Sequence, residues 1–164
     1  MSDSPAPLLR KGRVYAQRLL RYRPRSTQEM ARRLQCRGYP SAVIQAIIAD
    51  LTAAGALNDR QFAVLWARSR AHHLRGSRRI AQELQQHGVA EPLIDETMRV
   101  LAREHDEASA ARAFVERRLP RYHLEPPQAR WRKLSQQLAR RGFSSDIIED
   151  ALHQCLPSHD QMPR

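Results

Sequence analysis

Glycine recurs at positions 38, 88 and 142 inside one apolar frame. The three segments read Leu34-Gln35-Cys36-Arg37-Gly38, Leu84-Gln85-Gln86-His87-Gly88 and Leu138-Ala139-Arg140-Arg141-Gly142. A single hydrophobe follows each glycine: Tyr39, Val89 or Phe143. Val43-Ile44, Leu93-Ile94 and Ile147-Ile148 stand five and six residues beyond it, and Met30, Ile80 and Leu134 eight residues before it. Agreement at so many offsets marks a tandem array, whose units bury their apolar faces on one another and present a long surface to a partner.

Local signals make each unit three helices. Val14, Tyr15, Leu19 and Leu20 form a helical stripe over residues 13–22, which Pro24 ends. Ser26-Thr27-Gln28-Glu29 has the form of a capping box, with the glutamate expected to reach back to the serine amide. Met30 and Leu34 line the next helix, and Gly38 suits its left-handed cap. A third helix follows Pro40, with Val43, Ile44, Ile47, Ile48 and Leu51 on a broad apolar face. The cycle then repeats. Asn58 or Asp59 caps a helix with Phe62, Leu65 and Trp66, Gly76-Ser77 starts the next, and Pro92 sits in the first turn of a third. The last cycle starts near Asp106, breaks at Pro120 and Pro126-Pro127, and ends in a helix capped by Ser144 or Ser145. The fold class is all-α: three tandem three-helix repeats at 12–56, 57–105 and 106–156, stacked in an array rich in sharp turns. Residues 1–11 and 157–164 are expected to be flexible tails.

Nothing here reads as an enzyme. There is no GxxxxGK[ST], GxGxxG or GxSxG motif, and no catalytic residue is assigned. Asp146 and Asp150 lie one turn apart, but Asp146, Glu149 and Asp150 are ordinary charges at a helix start. No cofactor or metal is expected: His72 and His73 are adjacent and diverge on a helix. Cys36 and Cys155 lack CxxC spacing and read as free thiols of a reducing cytoplasm. The start of the chain lacks the apolar segment of a signal peptide, and no stretch approaches a membrane span.

The charge is the functional clue. Against 17 acidic residues stand 28 basic ones, a formal net charge of +11, and all but Lys11 and Lys133 are arginine. The excess is steepest over residues 1–50, which hold ten basic and three acidic residues. On the repeat frame, Arg78-Arg79 and Arg132-Lys133 lie ten and nine residues before their glycines, and the first repeat has Arg32-Arg33 one turn later instead. Arg37 and Arg140-Arg141 adjoin the glycines, while Arg25 and Arg75 lie in loops. Any one of these suits a solvated helix face. As a set, Arg25, Arg32, Arg33, Arg37, Arg75, Arg78, Arg79, Arg132, Lys133, Arg140 and Arg141 would make a basic ridge for a polyanion, because guanidinium forks bind phosphate and carboxylate bidentately. Aromatic residues are sparse among them, so nucleic-acid contact should be weak, backbone-directed and sequence-independent. Charge reversal at Arg78 and Arg79 together is expected to spare stability.

Arg25-Ser26-x-x-Glu29-x-x-x-x-Leu34, Leu57-Asn58-Asp59-x-x-Phe62-Ala63, Arg68-x-Arg70 and Gly76-x-x-x-Ile80-x-x-x-Leu84-x-x-x-Gly88 resemble the signature of the RecX family, bacterial regulators of the RecA recombinase. The resemblance spans residues 12–156, and Asn58 stands where the family usually has aspartate. It implies an elongated, curved array that acts without catalysis. Such a protein lodges in the groove of the RecA–DNA filament and restrains its ATPase, strand-exchange and coprotease activities during DNA repair and the SOS response. The expected partners are the RecA filament and single- or double-stranded DNA, with no membrane, and the expected state is a monomer. Asp59 is read as a helix-start charge and Phe62 as core; with Gly38, Gly88 and Gly142 they are structural residues. The competing reading is a helix-turn-helix DNA-binding regulator, since short helices around glycine turns also describe that motif.

Overall fold

Turn chemistry sets the helix boundaries. The computed structural model describes residues 5–156. Among these residues the chain forms nine α-helices and no strand: α1 (Pro5–Tyr22), α2 (Thr27–Cys36), α3 (Ser41–Ala53), α4 (Asp59–His72), α5 (Ser77–Gln86), α6 (Glu91–Glu104), α7 (Glu107–Arg118), α8 (Pro127–Arg141) and α9 (Ser145–Cys155). A short 3₁₀ turn, Leu119–Tyr122, follows α7. The fold is all-α, in three successive three-helix sets.

The caps are largely those the sequence announces. Ser26 Oγ accepts the Glu29 amide at 3.1 Å, Asn58 Oδ1 accepts that of Gln61 at 3.0 Å, and Ser144 Oγ accepts that of Ile147 at 3.4 Å. One half of the expected capping box is replaced: the Glu29 carboxylate pairs with Arg23 and Arg25. A second correction concerns the start of the chain. Residues 5–11, expected as tail, belong to α1. Prolines cost nothing in a first turn, and Leu8 and Leu9 gain burial on the first core. Residues 1–4 and the expected tail at 157–164 lie outside the described residues.

Two compact units emerge, and their boundaries cut across the repeat frame. One holds the chain up to Leu65 together with Leu84–Ile94; the other holds Trp66–Glu83 together with the chain from Asp95. In the first, α1 and α2 pack on α3 around Ala16, Met30, Leu34, Val43, Ile47, Leu51 and Leu57. In the second, α7 and α8 pack on α9 around Ala110, Ala111, Phe114, Val115, Leu134, Leu138, Phe143, Ile148, Ala151, Leu152 and Leu156. Met30, Leu34, Leu84, Leu134 and Leu138, all apolar residues of the glycine frame, have no exposed surface. Each contributes about 1.5–3 kcal/mol of burial.

The same joint explains both units. In the first, the turn after α5 seats on the start of α2: Ser26 Oγ donates to the His87 carbonyl at 2.5 Å, and Thr27 N donates to Asp59 Oδ1 at 2.7 Å. Phe62 is 3% exposed and meets His87 edge-on at 5.3 Å. In the second, the turn after α8 seats on the start of α5. Gly76 N donates to the Arg141 carbonyl at 2.9 Å, Arg78 N to the Gly142 carbonyl at 3.2 Å, and Ser77 N to Glu107 Oε1 at 2.8 Å. Asp59 and Glu107, each the first residue of a helix, therefore receive the leading amide of the helix two before their own. Asp59 is thus both a helix-start charge and a joint residue. Gly142 is required here twice over: its φ is +90°, and a Cβ would collide with the Arg79 backbone.

Candidate polyanion-binding surface

Helical periodicity places the basic residues before contacts do. Ten, six and two residues ahead of each frame glycine, the side chains are exposed in all three repeats: Gln28, Arg32 and Cys36; Arg78, Gln82 and Gln86; Arg132, Gln136 and Arg140. Steps of four keep each trio on one helix face. On α8, Arg132 and Arg140 are about 12 Å apart along the axis.

The second unit brings three expected residues to one groove. Arg78 and Arg79, from the first turn of α5, and Arg140, from the last turn of α8, line a depression of about 300 Å³. Gln82, Phe143 and Ser145 complete its walls. The α5–Gly142 joint holds the groove in register, because Arg78 N donates to Gly142 O and the Gly142 Cα sits against Arg79. Arg78, Arg132 and Arg140 are exposed and have no carboxylate partner among the described residues.

Other expected residues are engaged within the protein. Arg79 Nε lies 3.1 Å from Glu83, whose side chain is only 12% exposed. Glu83 also takes Arg70 Nε at 2.8 Å and Trp66 Nε1 at 3.2 Å, while the Arg70 guanidinium lies 4.2 Å from the Trp66 ring centroid. Reversing Arg79 would set a second carboxylate beside a nearly buried one, which argues against the expectation that reversal at Arg78 and Arg79 together leaves stability unchanged. Arg25 is 9% exposed and paired with Glu29, and it leaves the exposed set for that reason. Lys133 pairs with Glu125. In the first unit, Arg32 donates to Gln28 at 2.8 Å and Arg37 lies 4.7 Å from the Tyr15 ring, while Arg33 is exposed without an ionic partner among the described residues.

Arg141 has a different task. Its Nη1 donates to the His73 and Leu74 carbonyls at 2.8 and 2.9 Å, clamping the turn that ends α4. Its guanidinium lies 4.4 Å from the Phe114 ring centroid, and that of Arg118 lies 5.6 Å from the same ring. Burial, and then the positive charges of Arg75 and Arg118, hold the Arg141 guanidinium below the usual arginine value. Arg118 is a residue that sequence reasoning missed. It lies on the first helix of its repeat, outside the glycine frame, and only the α7–α8 packing carries it to Arg141.

Among the described residues no group of three His, Cys, Asp or Glu side chains could hold a metal ion, and no helix is long and apolar enough to cross a membrane.

Comparison with known proteins now bears on these features. Sequence models for RecX match in chain order: the first three-helix domain at residues 13–51, the second at 58–98 and the third at 105–152. The chain is 35% identical over 148 residues to the regulatory protein RecX of Thermobifida fusca, covering 89% of this chain and 79% of that one. It is 37% identical over 138 residues to the regulatory protein RecX of Halorhodospira halophila, covering 83% of each. Its fold is similar to the crystal structure of RecX from Lactobacillus salivarius, with a TM-score of 0.78 at 22% identity over 92% of this chain and 97% of that one. A second crystal structure, of a regulatory protein RecX, gives a TM-score of 0.76 at 25% identity over 88% of this chain and 71% of that one.

Proposed function

Because this chain belongs to the RecX family of regulatory proteins, we propose that it is a non-enzymatic modulator, mainly an inhibitor, of the RecA recombinase. It acts in the cytoplasm as a monomer, lodges in the groove of the RecA–DNA filament, and restrains ATP hydrolysis, strand exchange and stimulated repressor cleavage in DNA repair and the SOS response. The observation that carries the reading is the arginine groove. Arg78, Arg79 and Arg140 converge on an open depression, with Arg132 further along the same face as Arg140.

The chemistry follows from that arrangement. The unpaired guanidinium groups of Arg78, Arg132 and Arg140 stand on rigid helices, lose little entropy on binding, and donate in pairs to an anionic oxygen acceptor. Basic residues of the first repeat, Arg32 and Arg33 on α2 and Arg37 just beyond it, add weak contacts along a repeating partner. A bound array that prefers one filament state shifts the filament toward it without chemistry. Arg75, Lys133 and Arg141 support this surface from its edges, and DNA is touched through its backbone, weakly and without sequence preference.

The test is a titration of the protein into preformed recombinase filaments on single-stranded DNA, followed by ATP turnover. Arg78→Glu with Arg140→Glu avoids the Glu83 cluster. It should raise the concentration for half-inhibition about tenfold, roughly 1.4 kcal/mol, while thermal unfolding stays within the range of surface substitutions. Unchanged inhibition removes the groove from the contact surface. Strong preference for one duplex sequence in the absence of recombinase favours the base-reading regulator instead.

A further inference from the structure

We propose that Arg75, Arg118 and Arg141 form a seat for a phosphate group beside the arginine groove. The inference deepens the proposed basic surface, on which it rests, by assigning a phosphate contact to named residues, and its test needs no recombinase.

Arg75, just past the end of α4, Arg118 at the end of α7 and Arg141 at the end of α8 are each half-buried, and the charges of Arg75 and Arg118 both act on Arg141. Arg118 and Arg141 both lie against the Phe114 ring, at 5.6 and 4.4 Å from its centroid. None of the three has a carboxylate partner among the described residues. Like charges gathered without a counter-ion cost stability, and the neighbours' effect on Arg141 has the sign of that repulsion. Glu107 borders the same small cavity as Arg75 but makes no ion pair with it, and its Oε1 accepts from the Ser77 amide and hydroxyl. Such a cluster is stabilised when an anion supplies the missing charge.

The cluster is also held in place. Arg141 spends Nη1 on the His73 and Leu74 carbonyls, which leaves the Nε–Nη2 edge without a protein acceptor among the described residues. That edge is the bidentate side of the fork. Leu74 has φ +55°, the left-handed region, and is the one non-glycine residue with positive φ among the described residues. A leucine there costs about 1–2 kcal/mol, and the clamp from Arg141 maintains it. The strained turn sets the position of Arg75.

Phosphate suits this site better than carboxylate. It offers more acceptor oxygens than a carboxylate, enough for three donors approaching from three helix ends. The adjoining groove adds Arg78, Arg79 and Arg140, joined through the Gly76–Arg141 and Arg78–Gly142 backbone bonds. A chain of phosphates could therefore occupy both.

The experiment uses the full chain and measures anisotropy of a fluorescein-labelled oligothymidylate, with pyrophosphate as competitor and polyglutamate as a carboxylate polymer. The variants are Arg118→Gln and Arg75→Gln, with Arg117→Gln as the charge-matched control, since Arg117 is exposed and has no partner among the described residues. Circular dichroism melts accompany each variant. Arg118→Gln and Arg75→Gln should each weaken oligonucleotide binding about fivefold and reduce the salt slope by about one, against under about twofold for Arg117→Gln. Pyrophosphate should displace the oligonucleotide and need a higher concentration in Arg118→Gln. Pyrophosphate binding that depends on Arg118 without oligonucleotide binding keeps the seat and assigns it to a small phosphate ligand. Equal losses in all three variants, or polyglutamate binding as tight and as sensitive to Arg118 as the oligonucleotide, would overturn the proposal.

Discussion

Gly142→Ala tests the joint on which both the packing and the groove depend. Two costs act at this position. A φ of +90° places any side chain in the left-handed region, worth about 1–2 kcal/mol. The added Cβ also runs into the backbone nitrogen and Cα of Arg79, and backbone cannot swing aside as a flexible side chain would. Overpacking of this kind costs about 1–3 kcal/mol. The expected destabilisation is therefore about 2–5 kcal/mol. Gly38→Ala is the internal control. It occupies the same frame position with φ +81°, yet nothing lies within 4 Å of a Cβ there, so only the conformational cost of about 1–2 kcal/mol applies. Thermal unfolding followed by far-ultraviolet circular dichroism compares the two, at about 2–4 °C per kcal/mol for a chain of this size. Amide exchange at Arg78, whose N–H donates to the Gly142 carbonyl, reports the joint itself. Protection there should fall in Gly142→Ala and persist in Gly38→Ala. Equal destabilisation by the two substitutions would show that the close approach of α8 to α5 is wrong.

Two further outcomes concern titratable groups. Burial raises the Cys155 thiol above its usual value, with Glu116 adding to the effect and Arg112 opposing it. Less thiolate forms at a given pH, so pulse alkylation read by peptide mass spectrometry should label exposed Cys36 about tenfold faster; equal rates contradict the packing of α9. Asp106 caps α7, accepting from Ser109 Oγ and from the Ala108 amide at 3.0 Å, and these bonds lower its carboxyl from the usual value. A lowered folded value means that its contribution is present in full above the ordinary carboxylate range and disappears as pH falls through the folded value. Carboxyl carbon shifts should place its midpoint below that of an ordinary aspartate, and Asp106→Asn should remove that acid dependence; an ordinary midpoint refutes the cap.

Much of the fold is local and hence legible in sequence. Ser26, Asn58 and Ser144 cap helices because short oxygen-bearing side chains satisfy free amides wherever a helix starts. Leu34, Leu84 and Leu138 are fully buried because helical periodicity fixes one apolar face. The start of α1 was hidden because Pro5 and Pro7 signal a tail as readily as a first turn. Tertiary geometry is where pattern runs out. Glu29 satisfies the capping spacing, but Arg23 and Arg25 win its carboxylate, since a charge-assisted pair outweighs a neutral amide. The frame assigns Arg78, Arg79 and Arg140 to one basic ridge, but their convergence on one groove, and whether each is exposed or paired, depends on Glu83 and the Gly142 turn. Arg118 carried no signal at all, because its relation to Arg141 crosses from α7 to α8.

The joint at Gly142 accounts for why a frame glycine and the basic residues sit together. A turn that seats on the start of a helix must bring two backbones close, which selects glycine. It also brings the last turn of one helix against the first turn of another, and those are the positions where Arg140 and Arg78 stand. The arginines at the end of α8 favour its dipole, so the helix terminus tolerates a basic cluster that a mid-helix position would expose to repulsion. Packing and binding are thereby coupled through one backbone contact, Arg78 N to Gly142 O. The consequence separates this account from one in which charge alone matters: Gly142→Ala removes no charge, yet it should weaken filament inhibition well below its melting range, and Gly38→Ala should not.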